Sequence, residues 1–241
     1  MKNILSLFFL SLFVHIVSAQ TTERTWNYPV KPGSGEWKQL QSNEEMVNAC
    51  QIPEHLLSSL STEKLTELCL QYPLIYDVFA FDNINNGLDK LYSDFNGIRE
   101  LYKRKNVSDF LINQYIQKMQ TFSFLDEKST EYEKGKFIVD VSLLEVLLSR
   151  FVTKNDASYE SYKNVLRILV TGYESKFKYT DYFKGVGFRS NIYSRAQVIS
   201  ILDNQSFEKL TRMDKNRVLV SGMADEQGVR FIDELSYKLI K

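Results

Sequence analysis

Beyond Pro73 the chain runs to Lys241 without a proline, cysteine, tryptophan or histidine. Without proline, nothing there removes a backbone donor or clashes with a preceding turn, so long helices can run unbroken. Without histidine or cysteine, that stretch lacks the commonest bases, thiol nucleophiles and soft metal ligands. His15 falls in an apolar N-terminus, which leaves His55 as the one candidate base of this kind. A Ser-His-Asp or Cys-His site needs such a base beside its nucleophile. His55 lies near Ser58 and Ser59 on a short predicted helix, where a surface or packing histidine is the simpler reading. No catalytic residue is assigned, and the chain reads more as a binding protein than an enzyme.

Other absences narrow the field further. Cys50, His55 and Cys69 match no zinc framework, so no metal site is assigned. Gly185-Val186-Gly187 has no third glycine in register and no strand before it, and no Gly-Lys-Ser/Thr occurs. Asp82 to Gly87 lacks the acidic pattern and closing glutamate of a calcium loop. No cofactor is expected. Lys plus Arg equals Asp plus Glu, at 30 each, so no charge excess points to nucleic acid or a membrane surface. Strand-like alternation is also missing.

What is present begins with MKNILSLFFLSLFVHIVSAQ. Lys2, the apolar run Ile4 to Val17 and the small residues Ser18 and Ala19 predict a signal peptide over 1–19. After it, no stretch is apolar enough for the roughly 20 residues of a spanning helix. The expected destination is the periplasm, the cell surface or the medium.

All four prolines, both tryptophans and both cysteines then fall between Trp26 and Pro73. Pro29, Pro32, Gly33 and Gly35 rule out a continuous helix, so 20–42 reads as an extended arm pinned by Trp26, Tyr28 and Trp37. Ser42 and Glu45 fit a capping box. Pro53 fits the start of a second short helix, and Ser61 or Thr62 the cap of a third. Cys50 and Cys69 leave two readings open. In an exported protein they could form a disulfide, stabilising by roughly 3 kcal/mol in the chain-entropy model. As apolar-face residues, they could equally be buried free thiols.

The motifs Tyr28-Pro29-Val30-Lys31-Pro32-Gly33, Glu36-Trp37, Cys50-Gln51-Ile52-Pro53 and Cys69-Leu70-Gln71-Tyr72-Pro73 resemble those of a group of secreted Bacteroidetes proteins. The similarity covers about residues 28–102. It implies export from a Gram-negative cell and brings no activity, ligand or catalytic residue.

The rest, 43–241, reads as a single all-α domain, an irregular helical array or solenoid-like bundle. Leu74 to Phe81 suggests a buried helix, and Leu88 to Tyr102 one amphipathic helix despite Gly97. Phe137 to Val152 is apolar enough for a central helix. Asp156 or Ser158 should cap a helix with Tyr162, Val165, Leu169 and Tyr173 on one face. Further helices are expected near Ile192–Leu202, Phe207–Val220 and Gln227–Ile240.

The candidate ligand surface is Tyr173, Phe177, Tyr179, Tyr182, Arg189, Tyr193 and Arg195. Aromatics interleaved with cations can stack on sugars or contact polymers. The alternative is a connector whose rings pack between two helices. Asp77 and Asp82, flanking an apolar run, are the acids of most interest. The function expected is a non-enzymatic binding or scaffold module of the cell envelope, contacting protein or envelope glycan. The alternative is an envelope hydrolase with a carboxylate-based site.

Overall fold

The computed structural model describes residues 26–126, 129–154, 157–210 and 212–241. The expected signal peptide, the first residues of the arm and the Asp156 cap lie outside them. The chain is all-α, as its patterning predicts, with no strand among the described residues.

The arm is irregular from Trp26 to Leu40 apart from a 3-10 turn at Trp37–Gln39. Tyr28 holds it: the ring is buried and its hydroxyl donates to the Leu68 carbonyl at 2.8 Å. Trp26 packs edge-on against Tyr28, with centroids 4.7 Å apart. Ser42 caps α1 (Asn43–Ala49) by accepting from the Glu45 N–H. Glu45 reaches back to the Gln41 N–H at 2.7 Å, one residue beyond the usual box. Pro53 precedes α2 (Glu54–Leu57), and Ser61 caps α3 (Thr62–Leu70).

Two sequence expectations fail next, each for a local reason. Ile75–Ala80 forms a 3-10 turn rather than an α-helix. Its buried residues Ile75 and Val78 are three apart, the spacing that 3-10 geometry aligns on one face. The amphipathic helix expected from Leu88 to Tyr102 is two helices, α4 (Ile84–Asp94) and α5 (Asn96–Leu101). Phe95 is extended between them, at φ −115° and ψ 117°. The break is held by side-chain amides. Asn96 accepts from the Ile52 N–H at 3.0 Å and donates to the Ile52 carbonyl at 2.7 Å. Gln51 donates to the Asp94 carbonyl at 2.9 Å. The Phe95 ring then stacks on Tyr72, 4.0 Å away and tilted by 9°.

The body comprises α6 (Val107–Gln120), α7 (Glu131–Lys154), α8 (Tyr159–Lys176), α9 (Thr180–Phe183), α10 (Val186–Leu202), α11 (Asn204–Phe207), α12 (Arg212–Ser221) and α13 (Glu226–Ile240). Ser158 caps α8 by accepting from the Ser161 N–H. Helix α7 is the expected centre: Phe137, Val141, Val146, Leu148 and Val152 are buried, and α6, α8 and α10 pack around it. A helix apolar on all sides has to be enclosed in this way. Helix α10 starts at Val186, earlier than its apolar pattern suggests, and also contacts α12 and α13.

Four of these helices meet on an ion pair with no exposed side-chain surface. Lys176 donates to both Glu145 oxygens, at 2.7 and 2.8 Å, and to the Gly187 carbonyl at 2.5 Å. Three acceptors satisfy the three donors of an ammonium group. Glu145 also accepts from Tyr115 at 2.5 Å, Ser190 at 2.6 Å and Asn191 at 2.7 Å. Burial pulls the Lys176 pKa below its ordinary value, and Glu145 opposes that shift. Gly172 lets Tyr115 reach the cluster, since a Cβ there would stand 1.9 Å from the hydroxyl.

Breaking a buried pair typically costs about 3–5 kcal/mol, because it strands a charge. Lys176→Met should destabilise the protein by about that amount in denaturant unfolding. Glu145→Leu should cost more, since it leaves the Lys176 charge with only the Gly187 carbonyl and the Tyr115 hydroxyl with no acceptor, while Ser190 and Asn191 keep backbone partners. Equal or negligible losses in the two variants would show that the cluster does not organise the core.

Candidate functional site

The turn Ile75–Ala80 stands between two surface recesses. On one side, α1, the turn and α4 enclose about 270 Å³. Val47, Leu74, Val78 and Leu91 form apolar walls, and Phe81 stands at the edge, 39% exposed. Gly87 brings α4 against the turn: a Cβ there would lie 2.1 Å from the Val78 carbonyl oxygen.

The charged groups of this recess are Asp77, Lys90 and Asp94. Lys90 pairs with Asp94 at 2.6 Å, and Ser93 donates to the same carboxylate at 3.0 Å. Asp77 has no side-chain hydrogen bond or ion pair among the described residues. Crowding by the recess walls lifts its pKa above the usual aspartate value, and the neighbouring Asp94 charge adds to the lift. Tyr72 lines the recess with its ring buried, and its hydroxyl has no partner among the described residues. Burial raises the Tyr72 pKa, with further contributions from Cys50, Asp94 and Asp77. The hydroxyl therefore feels both carboxylates of the recess.

On the other side of the turn, Tyr76 faces a groove between α6 and α7. It donates to Asp140 at 2.5 Å, and Lys118 and Lys136 reach the same carboxylate at 3.1 Å. Adjoining hollows of about 190 and 370 Å³ share these two lysines and Asp140. Both ammonium groups are engaged within the protein, so this groove offers less unspent polarity than the first.

The aromatic and basic stretch after α8 does not assemble into one face. Tyr173, Tyr179, Tyr193 and Arg195 are buried, Tyr182 is half-buried, and Phe177 and Arg189 are exposed. The rings fill space instead. Tyr173 meets Phe177 and Phe188 edge-on at 5.0 and 5.6 Å. Arg195 lies 4.1 Å from the Tyr173 ring centre and pairs with Asp233 at 2.7 Å. Tyr193 donates to Asn85 at 2.7 Å, tying α10 to α4. The connector reading describes this stretch; a shared ligand surface does not.

Cys50 and Cys69 are free, buried thiols rather than a disulfide. Cys69 faces Gly97, where a Cβ would stand 2.9 Å from its sulfur. Burial pushes the Cys50 thiol up to about 11 and raises Cys69 as well. His55 and Asp82 are exposed. Of the acids singled out by sequence, only Asp77 lines the recess. Asp94, Lys90 and Tyr72 were not legible, because the break at Phe95 decides where α4 ends.

No protein-family model, curated protein or solved structure matches this chain. No helix among the described residues is long and apolar enough to cross a membrane.

Two outcomes follow for solution measurements. A thiolate-selective reagent at pH 8 should react slowly with the native protein and find two thiols after denaturation without reductant. Reaction at the rate of free cysteine in the native state would contradict the burial of both. By NMR titration, the Asp77 carboxyl should titrate above the other exposed aspartates, and Asp94→Asn should lower it part of the way. A raised native pKa means the folded state holds the proton more tightly than the unfolded chain. The Asp77 contribution therefore favours folding as pH falls through its range and is lost as pH rises.

Proposed function

We propose that the protein is an exported, non-enzymatic binding module of the cell envelope whose ligand contact is the recess between α1, the turn and α4. One observation carries the reading: the recess has apolar walls and holds a carboxylate, Asp77, that has no side-chain hydrogen bond or ion pair among the described residues. Largely apolar recesses with a few convergent polar groups are the usual form of ligand sites. Export rests on the leader expected over 1–19, and places the protein in the periplasm, on the cell surface or in the medium. The expected partners are envelope proteins or glycans rather than nucleic acid.

A carboxylate-based envelope hydrolase is the second reading, favoured by Asp77 being held up beside Asp94. Its weakness is that Asp94 is already engaged by Lys90 and Ser93.

Ala80→Trp tests both readings, because it fills the recess from an exposed rim position. On the binding reading, the tagged variant should lose most of the wild-type retention on washed envelope fractions while its Tm is unchanged. Undiminished retention would remove the recess from the account. Release of new reducing ends from envelope glycan by wild type, abolished in Asp77→Asn, would favour the hydrolase.

A further inference from the structure

We infer that the folded chain forms an internal isopeptide bond between the side chains of Lys176 and Asn191, with Glu145 as the proton carrier. The bond lies in the buried cluster of α7, α8 and α10 and is independent of the recess.

Geometry is the first argument. Glu145 Oε1 accepts from Lys176 Nζ at 2.7 Å and from Asn191 Nδ2 at 2.7 Å. A nucleophile and a leaving group therefore meet at one carboxylate oxygen. Nζ is also held by the Gly187 carbonyl at 2.5 Å, and Nδ2 by the Leu169 carbonyl at 2.9 Å. Attack needs the amine within about 3–3.5 Å of the amide carbon. That carbon is bonded to Nδ2, so the remaining approach is a movement of the lysine side chain toward a group already fixed on the neighbouring helix.

Environment is the second. Glu145, Lys176 and Asn191 are fully buried. Burial pulls the Lys176 pKa down, the Arg195 charge adds to this, and Glu145 opposes it. Burial disfavours charged forms, so passing a proton from Lys176 to Glu145 costs less here than in water. The free amine that results is the nucleophilic form, in a site closed to competing water.

Unspent polarity on α10 is the third. Asn191 Oδ1, Ser194 Oγ, and Arg195 Nε and Nη2 are buried with no hydrogen-bond partner among the described residues. Their spacing of three and four residues puts them along one face of the helix. Asn191 Oδ1 is the atom that becomes negative when Lys176 attacks. A guanidinium one turn along, whose charge already acts on Lys176, favours that negative charge.

The reaction balances without a co-reactant. The Lys176 ammonium gives one proton to Glu145. The amine lone pair then forms the bond to Asn191 Cγ, and the carbonyl pair moves onto Oδ1. Glu145 delivers its proton to Nδ2, the carbonyl re-forms, and the bond from Cγ to Nδ2 breaks. The surplus proton on Nζ passes through Glu145 to the departing ammonia. Ammonium leaves, Glu145 ends as the carboxylate it began as, and the two side chains share an amide.

The test is tryptic digestion of the denatured full protein, read by tandem mass spectrometry. Trypsin does not cut after an acylated lysine, so Ile168–Lys178 should appear joined to Ser190–Arg195, one ammonia lighter than the two peptides together. The joined peptide decides the matter rather than intact mass, because Asn86-Gly87 and Asn96-Gly97 can also lose ammonia. Asn191→Ala should abolish it and slow the boiled chain on denaturing gels, since the bond closes a loop. Glu145→Gln keeps the side-chain shape and should abolish it too, with circular dichroism reporting the fold. Wild-type protein giving only the separate peptides, cut after Lys176, would overturn the inference whatever the variants do. Loss of water in place of ammonia would overturn it as well, by placing the bond at a carboxylate. A joined peptide persisting in folded Glu145→Gln would remove Glu145 as the proton carrier.

Discussion

Glu145 and Lys176 meet where neither side chain has exposed surface, and the body is organised around that contact. Removing two charges from water carries a penalty of several kcal/mol per ion, which their attraction offsets only when geometry is good and remaining hydrogen-bonding groups are filled. The surrounding groups meet that demand from four helices. Tyr115 comes from α6, Glu145 from α7, Lys176 from α8, and Ser190, Asn191 and the Gly187 carbonyl from α10. A slide of any one helix by a residue would leave a buried charge or donor unmatched. Apolar packing alone tolerates more slippage, so this cluster sets the mutual register of the bundle.

The same constraint reaches the head through α10. Tyr193 donates to Asn85, and Asn85 donates to the Leu219 carbonyl, so α4 is tied to both α10 and α12. Helix α4 in turn forms one wall of the recess that holds Asp77, Lys90, Asp94 and Tyr72. The recess is thus held by elements fixed from below. Gly87 sets how closely α4 approaches the turn, and the Tyr72–Phe95 stack holds the recess tyrosine in place. On this frame the Tyr72 hydroxyl is shut in without a partner among the described residues, while Asp77 stands exposed at the recess.

Much of the helical framework was legible from spacing alone. Ser42, Ser61 and Ser158 cap helices as their positions predict, and Phe137 to Val152 is the buried centre. The errors arose where tertiary contacts override local pattern. Phe95 breaks an amphipathic run because Gln51 and Asn96 bind the backbone across it, more than forty residues apart in sequence. Tyr173, Tyr193 and Arg195 look like a contact surface because aromatics and cations also serve there as ordinary packing. Exposure is decided by what covers a residue, and no local spacing records that.

The sequence by itself determined an all-α chain with a proline-punctuated head and an apolar central helix. Those properties follow from side-chain periodicity and from backbone donors that proline removes, both of which act within a few residues. Only the tertiary structure decided that Glu145 and Lys176 are partners, that Cys50 and Cys69 are free, and that Asp77, Asp94 and Tyr72 share a recess. Each of these depends on separate helices meeting at a fixed register. In the body, that register is set where four helices bring matching donors and acceptors to Glu145 and Lys176 at once.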